Sequence, residues 1–129
     1  MGMHWTALVS IAALAVYAWM LGVAGRAREK YKVPAPSMDG PVEFLSALRV
    51  QANTVEQMVL FFPALWLCAA LLSDEKAAMG GAIWVLGRVV YAVAYYRDPK
   101  KRTLGFFITA FGSVSLLIGA AIGLLTHWA

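Results

Sequence analysis

Four long apolar runs, at about 5–25, 55–73, 77–96 and 104–128, take up most of this 129-residue chain, and each reaches the roughly 20 residues a helix needs to cross a bilayer. Little is left over for a soluble domain. Composition agrees, with 61% of residues hydrophobic and 14% charged, against about 45–50% and about 25% in soluble domains. Only His4 carries polarity ahead of the first run, which is also too long for the apolar core of a signal peptide, so the segment is expected to stay in the mature protein. The expectation is an all-α integral membrane protein of one domain, 1–129, an antiparallel four-helix bundle with helices at about 3–31, 41–73, 77–97 and 99–128.

Charge placement orients the bundle. Arg26, Arg28, Lys30, Lys32 and Arg49 fall between the first two runs, and Arg97, Lys100, Lys101 and Arg102 between the last two, while Lys76 alone occupies the middle loop. Basic residues collect on the cytoplasmic side, so the first and third loops are expected there, with both termini and the "SDEK" turn opposite. The expected membrane is a bacterial inner membrane or the endoplasmic reticulum. The basic isoelectric point therefore reflects topology and anionic lipid rather than nucleic acid. The single cysteine, Cys68, lies mid-run in "ALWLCAALL" and reads as a buried, inert thiol. His4 and His127 have no thiol or carboxylate beside them, so no metal site is expected.

Local punctuation sharpens the helix boundaries. The loop "VPAPSMDGPVEF" holds three of the five prolines and cannot be helical throughout, which starts the second helix near Pro41. Pro63 inside that helix is expected to kink it or loosen a turn. In "YYRDPKKRTLG", Asp98 as N-cap and Pro99 as first residue predict the start of the fourth helix, with Arg102 in its first turn. "GAAIG", Gly119 to Gly123, is a small-xxx-small pattern that permits close helix approach.

The informative residues are the polar ones at membrane depth, because an ionisable group in hydrocarbon costs several kcal/mol unless it is paired or wet. Arg49, Asn53 and Glu56 are spaced by four and three and share a face of the second helix; Arg88, Tyr91 and Tyr95 make a matching stripe on the third. At about 1.5 Å per residue, Glu56 and Arg88 both lie on the order of 10–14 Å inside the boundary. Two readings stay open. Glu56 and Arg88 form an ion pair that holds the bundle, with the tyrosines as interfacial belt residues, or these residues and Gln51, with Arg28 and Arg102 at the rim, line one pocket suited to a small polyanionic peptide.

"RVQANTVEQ" on the second helix, together with "GRVVYAVAYYRDPKKR", resembles the membrane-associated proteins in eicosanoid and glutathione metabolism, the MAPEG family, on the side of its microsomal glutathione transferases and leukotriene C synthases. The resemblance covers almost the whole chain. Its most specific part is R-x-(Q/H)-x-N-x-x-E paired with R-x-x-Y-x-x-x-Y and a downstream arginine. It implies a homotrimer that binds glutathione as co-substrate between adjacent subunits. Arg49, Asn53 and Glu56 would grip the tripeptide, supported by Gln51. Tyr91 and Tyr95 would line the same site beside Arg88, Arg28 would face a glutathione carboxylate, and Arg102 matches the arginine assigned to thiol activation. Gln57 stands where some relatives carry an aromatic residue, and Pro63 comes later after the glutamate, departures that bear on substrate preference.

The implied activity is a glutathione transferase or peroxidase acting on a lipophilic second substrate from the bilayer. A thiol of pKa about 8.5 is mostly protonated at neutral pH, and a nearby guanidinium in a poorly hydrated site lowers it toward about 7. A non-enzymatic lipid-binding scaffold of the lipoxygenase-activating type is the alternative from a different class. A four-helix proton-coupled exporter using Glu56 is a second, although such a carboxylate is expected in the first helix, which is uncharged through its apolar run.

Overall fold

The computed structural model describes residues 2–128, which form four long helices, each apolar enough to cross a membrane. They are α1 (His4–Tyr31), α2 (Val42–Leu71), α3 (Asp74–Arg97) and α4 (Thr103–Trp128), with a 3-10 turn at Pro99–Lys101 before the last. The fold is the expected four-helix membrane bundle. Its outward faces carry large apolar side chains such as Ile11, Val59, Leu86, Phe111 and Leu125, as a lipid solvent demands.

Two boundaries differ from the sequence expectation, and each has a local cause. α3 begins at Asp74 rather than about 77, because the Ser73 hydroxyl caps it by accepting from the Lys76 amide at 3.1 Å, and the acids Asp74 and Glu75 suit the positive end of a helix. α4 begins at Thr103 rather than at Pro99. Asp98 does act as an N-cap, but of the 3-10 turn, accepting from the Lys100 amide at 3.0 Å. Arg102 therefore stands just outside α4, and its carbonyl accepts the Phe106 amide at 3.1 Å. α2 runs without interruption through Pro63.

Small residues set the spacing between helices. A side-chain carbon at Gly105 would collide with the backbone of Tyr91, so α4 lies flush against α3 at that level. Gly119 meets Cys68 Sγ and Gly123 meets the Leu71 carbonyl, so the "GAAIG" pattern does bring α4 close to the end of α2. The main core gathers Phe61 and Leu65 of α2, Trp84 of α3 and Leu116 of α4. The Phe61 and Trp84 rings stack 3.9 Å apart and 7° from parallel. At the end where α1 and α3 begin, the Asp74 carboxylate accepts from the Trp5 amide at 3.1 Å, the Thr6 amide at 2.8 Å and the Thr6 hydroxyl at 2.7 Å. That clasp ties two helix starts together.

Candidate functional site

Helix register brings five of the expected residues to one place. Arg49 and Asn53 are one turn apart on α2, Tyr91 and Tyr95 one turn apart on α3, and Arg102 arrives from the α4 side through the 3-10 turn. They line a cavity of about 470 Å³ together with Thr103, Phe106 and Phe107, a size within the roughly 300–1,000 Å³ of small-molecule sites. The Tyr91 and Tyr95 rings lie 5.5 Å apart at 58°. The Arg102 guanidinium sits 5.8 Å from the centre of the Tyr95 ring and donates to the Pro99 carbonyl at 2.7 Å, which aims it across the mouth.

The wall chemistry is one-sided. Two guanidinium groups, an amide, two phenols and a hydroxyl face the space, and none of the lining residues is acidic. The α4 start adjoins it, where unpaired backbone N–H groups carry partial positive charge. Such a cavity favours an anion. Phe106 and Phe107 supply an apolar wall on the α4 side, so a ligand with both a charged and an apolar part fits the lining.

Four expected residues are not in this cavity. Arg28 donates to the Ser37 carbonyl at 2.7 Å and the Val33 carbonyl at 3.3 Å, and its guanidinium lies 5.2 Å from the Phe44 ring centre, beside a separate hollow under the first loop. Gln51 accepts from the Tyr17 hydroxyl at 3.4 Å on another face of α2. Glu56 is exposed on the α2 surface one turn beyond Asn53. Arg88 is fully buried behind the cavity, at 0% exposure.

The Glu56–Arg88 ion pair does not form. Depth along two helices matched, but rotation about their axes turns Glu56 outward and Arg88 inward. Arg88 instead donates from Nη1 to Asn53 Oδ1 at 2.7 Å and to the Thr54 hydroxyl at 3.1 Å, and from Nε to the Thr109 hydroxyl at 3.0 Å. Thr109 in turn donates to the Gly105 carbonyl at 2.9 Å, so only its lone pairs face the guanidinium. Thr54 and Thr109 were not anticipated from the sequence, since threonine in an apolar run reads as filler. Phe106, four residues after Arg102 and so on its helical face, was the signal that could have extended the site.

Comparison with known proteins bears on the same residues. The MAPEG family model matches residues 6–122. The chain is 41% identical over 121 residues to an uncharacterized protein of Synechocystis sp., covering 94% of this chain and 88% of that one. It is 33% identical over 111 residues to microsomal glutathione S-transferase 2 of Homo sapiens, covering 86% and 75%. With leukotriene C4 synthase of Bos taurus it shares 31% identity over 102 residues, covering 79% and 68%.

Proposed function

We propose that this chain, which belongs to the MAPEG family, is a multi-pass membrane transferase that uses glutathione, binding it in the Arg49–Arg102 cavity and activating its thiol beside Arg102. The observation that carries this reading is the convergence of Arg49 and Asn53 of α2, Tyr91 and Tyr95 of α3, and Arg102 from the turn before α4 on one acid-free cavity. Glutathione brings two carboxylates and a thiol. The cations match the carboxylates, and a thiolate forming near Arg102 meets both the guanidinium and the α4 start, which stabilise its charge.

Residues outside the cavity fit a site shared between copies. Arg28 and Gln51 face away from it, so in a homotrimer they would complete the cavity of an adjacent copy, while Glu56, open on the α2 surface, would meet the glutathione ammonium at the same junction. Basic residues collect on cytoplasmic loops, which supports a site open to that side. The second substrate is a lipophilic electrophile or hydroperoxide that reaches the thiolate from the bilayer past Phe106 and Phe107. With glutathione supplying the nucleophile, transfer needs no protein nucleophile. Conjugation forms a carbon–sulfur bond as the electrophile expels its leaving group, or as its epoxide carbon–oxygen bond opens and the oxygen is protonated. In peroxide reduction the thiolate takes the terminal oxygen as the oxygen–oxygen bond breaks, releasing the alcohol and a glutathione sulfenic acid, which a second glutathione converts to the disulfide and water.

The test is the ultraviolet absorbance of thiolate when glutathione is added to the purified protein in detergent. Wild type is expected to show the band and Arg102→Ala to lack it. No band in wild type removes the glutathione reading and favours a lipid-binding scaffold instead.

A further inference from the structure

Arg88 is a cation wholly removed from solvent, and none of its hydrogen-bond partners is a carboxylate: the three are an amide oxygen and two hydroxyls. Its Nη2 has no protein partner among the described residues. A buried charge held only by neutral groups is costly to keep. A bundle in need of packing alone is better served by an apolar residue there. The position of Arg88 relative to the cavity accounts for it differently.

Arg88 touches two cavity-lining residues from behind. It donates to Asn53 Oδ1 at 2.7 Å, and its guanidinium lies 4.3 Å from the centre of the Tyr91 ring. A guanidinium can only donate, so the amide opposite it must present its oxygen inward. That leaves both protons of Asn53 Nδ2 for the cavity side. Without Arg88, the amide is free to turn over and offer an acceptor to an anionic ligand, which repels it. Thr54 and Thr109 hold the guanidinium from two other helical positions, so the donor that orients Asn53 is itself fixed.

We propose that Arg88 is a positioning residue for the anion site: it never touches the ligand, and it acts by locking the Asn53 amide with its N–H donors facing a ligand oxygen. This rests on the glutathione reading of the cavity, and it gives Asn53 a partner class, an oxygen acceptor of the tripeptide rather than its ammonium.

A double-mutant cycle read by titrating the thiolate band with glutathione separates this from a merely structural role. Arg88→Gln should weaken glutathione affinity about tenfold, the loss expected for one hydrogen bond to a charged group. Arg88→Lys, which keeps a charged donor, should recover part of that. In an Asn53→Ala background, neither change should weaken affinity further, although both should still lower the thermal midpoint through the lost Thr54 and Thr109 bonds. Should Arg88→Gln not fold in detergent, Arg88→Lys carries the same cycle alone. An affinity loss that persists undiminished without the Asn53 amide overturns the proposal, and so does unchanged affinity in both variants. A wild-type protein with no thiolate band defeats the glutathione reading itself, a different outcome from a band whose Arg88 dependence fails to couple to Asn53.

Discussion

The two ends of the bundle handle charge in opposite ways. Where α1 and α3 begin, Asp74 is nearly buried and both of its oxygens are engaged by Trp5 and Thr6. Where α4 begins, Arg49 and Arg102 are exposed, and they flank a cavity without an acidic residue. The first arrangement has its hydrogen bonds satisfied within the protein and has little left to offer a ligand. The second keeps donors in reserve. Polar groups in this bundle therefore sort by what completes them: the protein itself at the Asp74 end and, on the proposed reading, a ligand at the Arg102 end.

The strongest way to break that contrast is to remove the reserve. Arg102→Ala should cost at least about a hundredfold in turnover, comparable to deleting a charge-stabilising donor in other active sites, while leaving the thermal midpoint unchanged, since its guanidinium donates only to the Pro99 carbonyl at the surface among the described residues. Turnover with wild-type rates would move Arg102 from mechanism to topology. Asp74→Ala should do the reverse. Three bonds to α1 are lost, so the midpoint should fall more than for any surface change, whereas glutathione affinity at a temperature where the protein remains folded should hold. A loss of affinity larger than the loss of stability would mean that the two ends are coupled.

The same contrast explains what could be read from the sequence. Membrane helices were legible because hydropathy over about 20 residues needs no tertiary information. The start of α3 has a signal in the sequence, Ser73 followed by Asp74 and Glu75, a cap with an acidic first turn, but these residues end an apolar run and so look like loop. The Asp74 clasp was not legible at all, since it joins residues 68 positions apart. Asp98 and Pro99 marked a real helical start, but a short tight one that delivers Arg102 to the cavity mouth. Spacing placed Arg49 with Asn53 and Tyr91 with Tyr95 correctly. It could not decide which way each face turns, and that is why Arg88 found Asn53 and the threonines instead of Glu56.

An intermediate effect is expected at Arg28, which sharpens the comparison by asking whether the open end is completed by a second copy. Arg28→Ala should raise the KM for glutathione about tenfold, as for one lost charge-assisted contact. If the chain forms the proposed homotrimer, coexpression with Arg102→Ala should regain activity above either variant alone, because mixed trimers would contain junctions in which one copy supplies Arg28 and its neighbour supplies Arg102. Activity that only averages the two parents would confine the site to one chain.

A small effect on the fold is expected at Glu56. A carboxylate paired with Arg88 would be costly to remove, since an unpaired guanidinium would remain in hydrocarbon. Arg88, however, already has Asn53, Thr54 and Thr109, and Glu56 is exposed. Glu56→Ala should therefore shift stability by no more than about 0.5 kcal/mol, the range of surface changes. If Glu56 meets the glutathione ammonium, the same substitution raises the KM for glutathione and spares a glutathione analogue lacking the amine. A marked fall in midpoint would restore the ion pair that the geometry rules out, and an unchanged preference between glutathione and that analogue would leave Glu56 outside the site, with the open end of α2 completed by other residues.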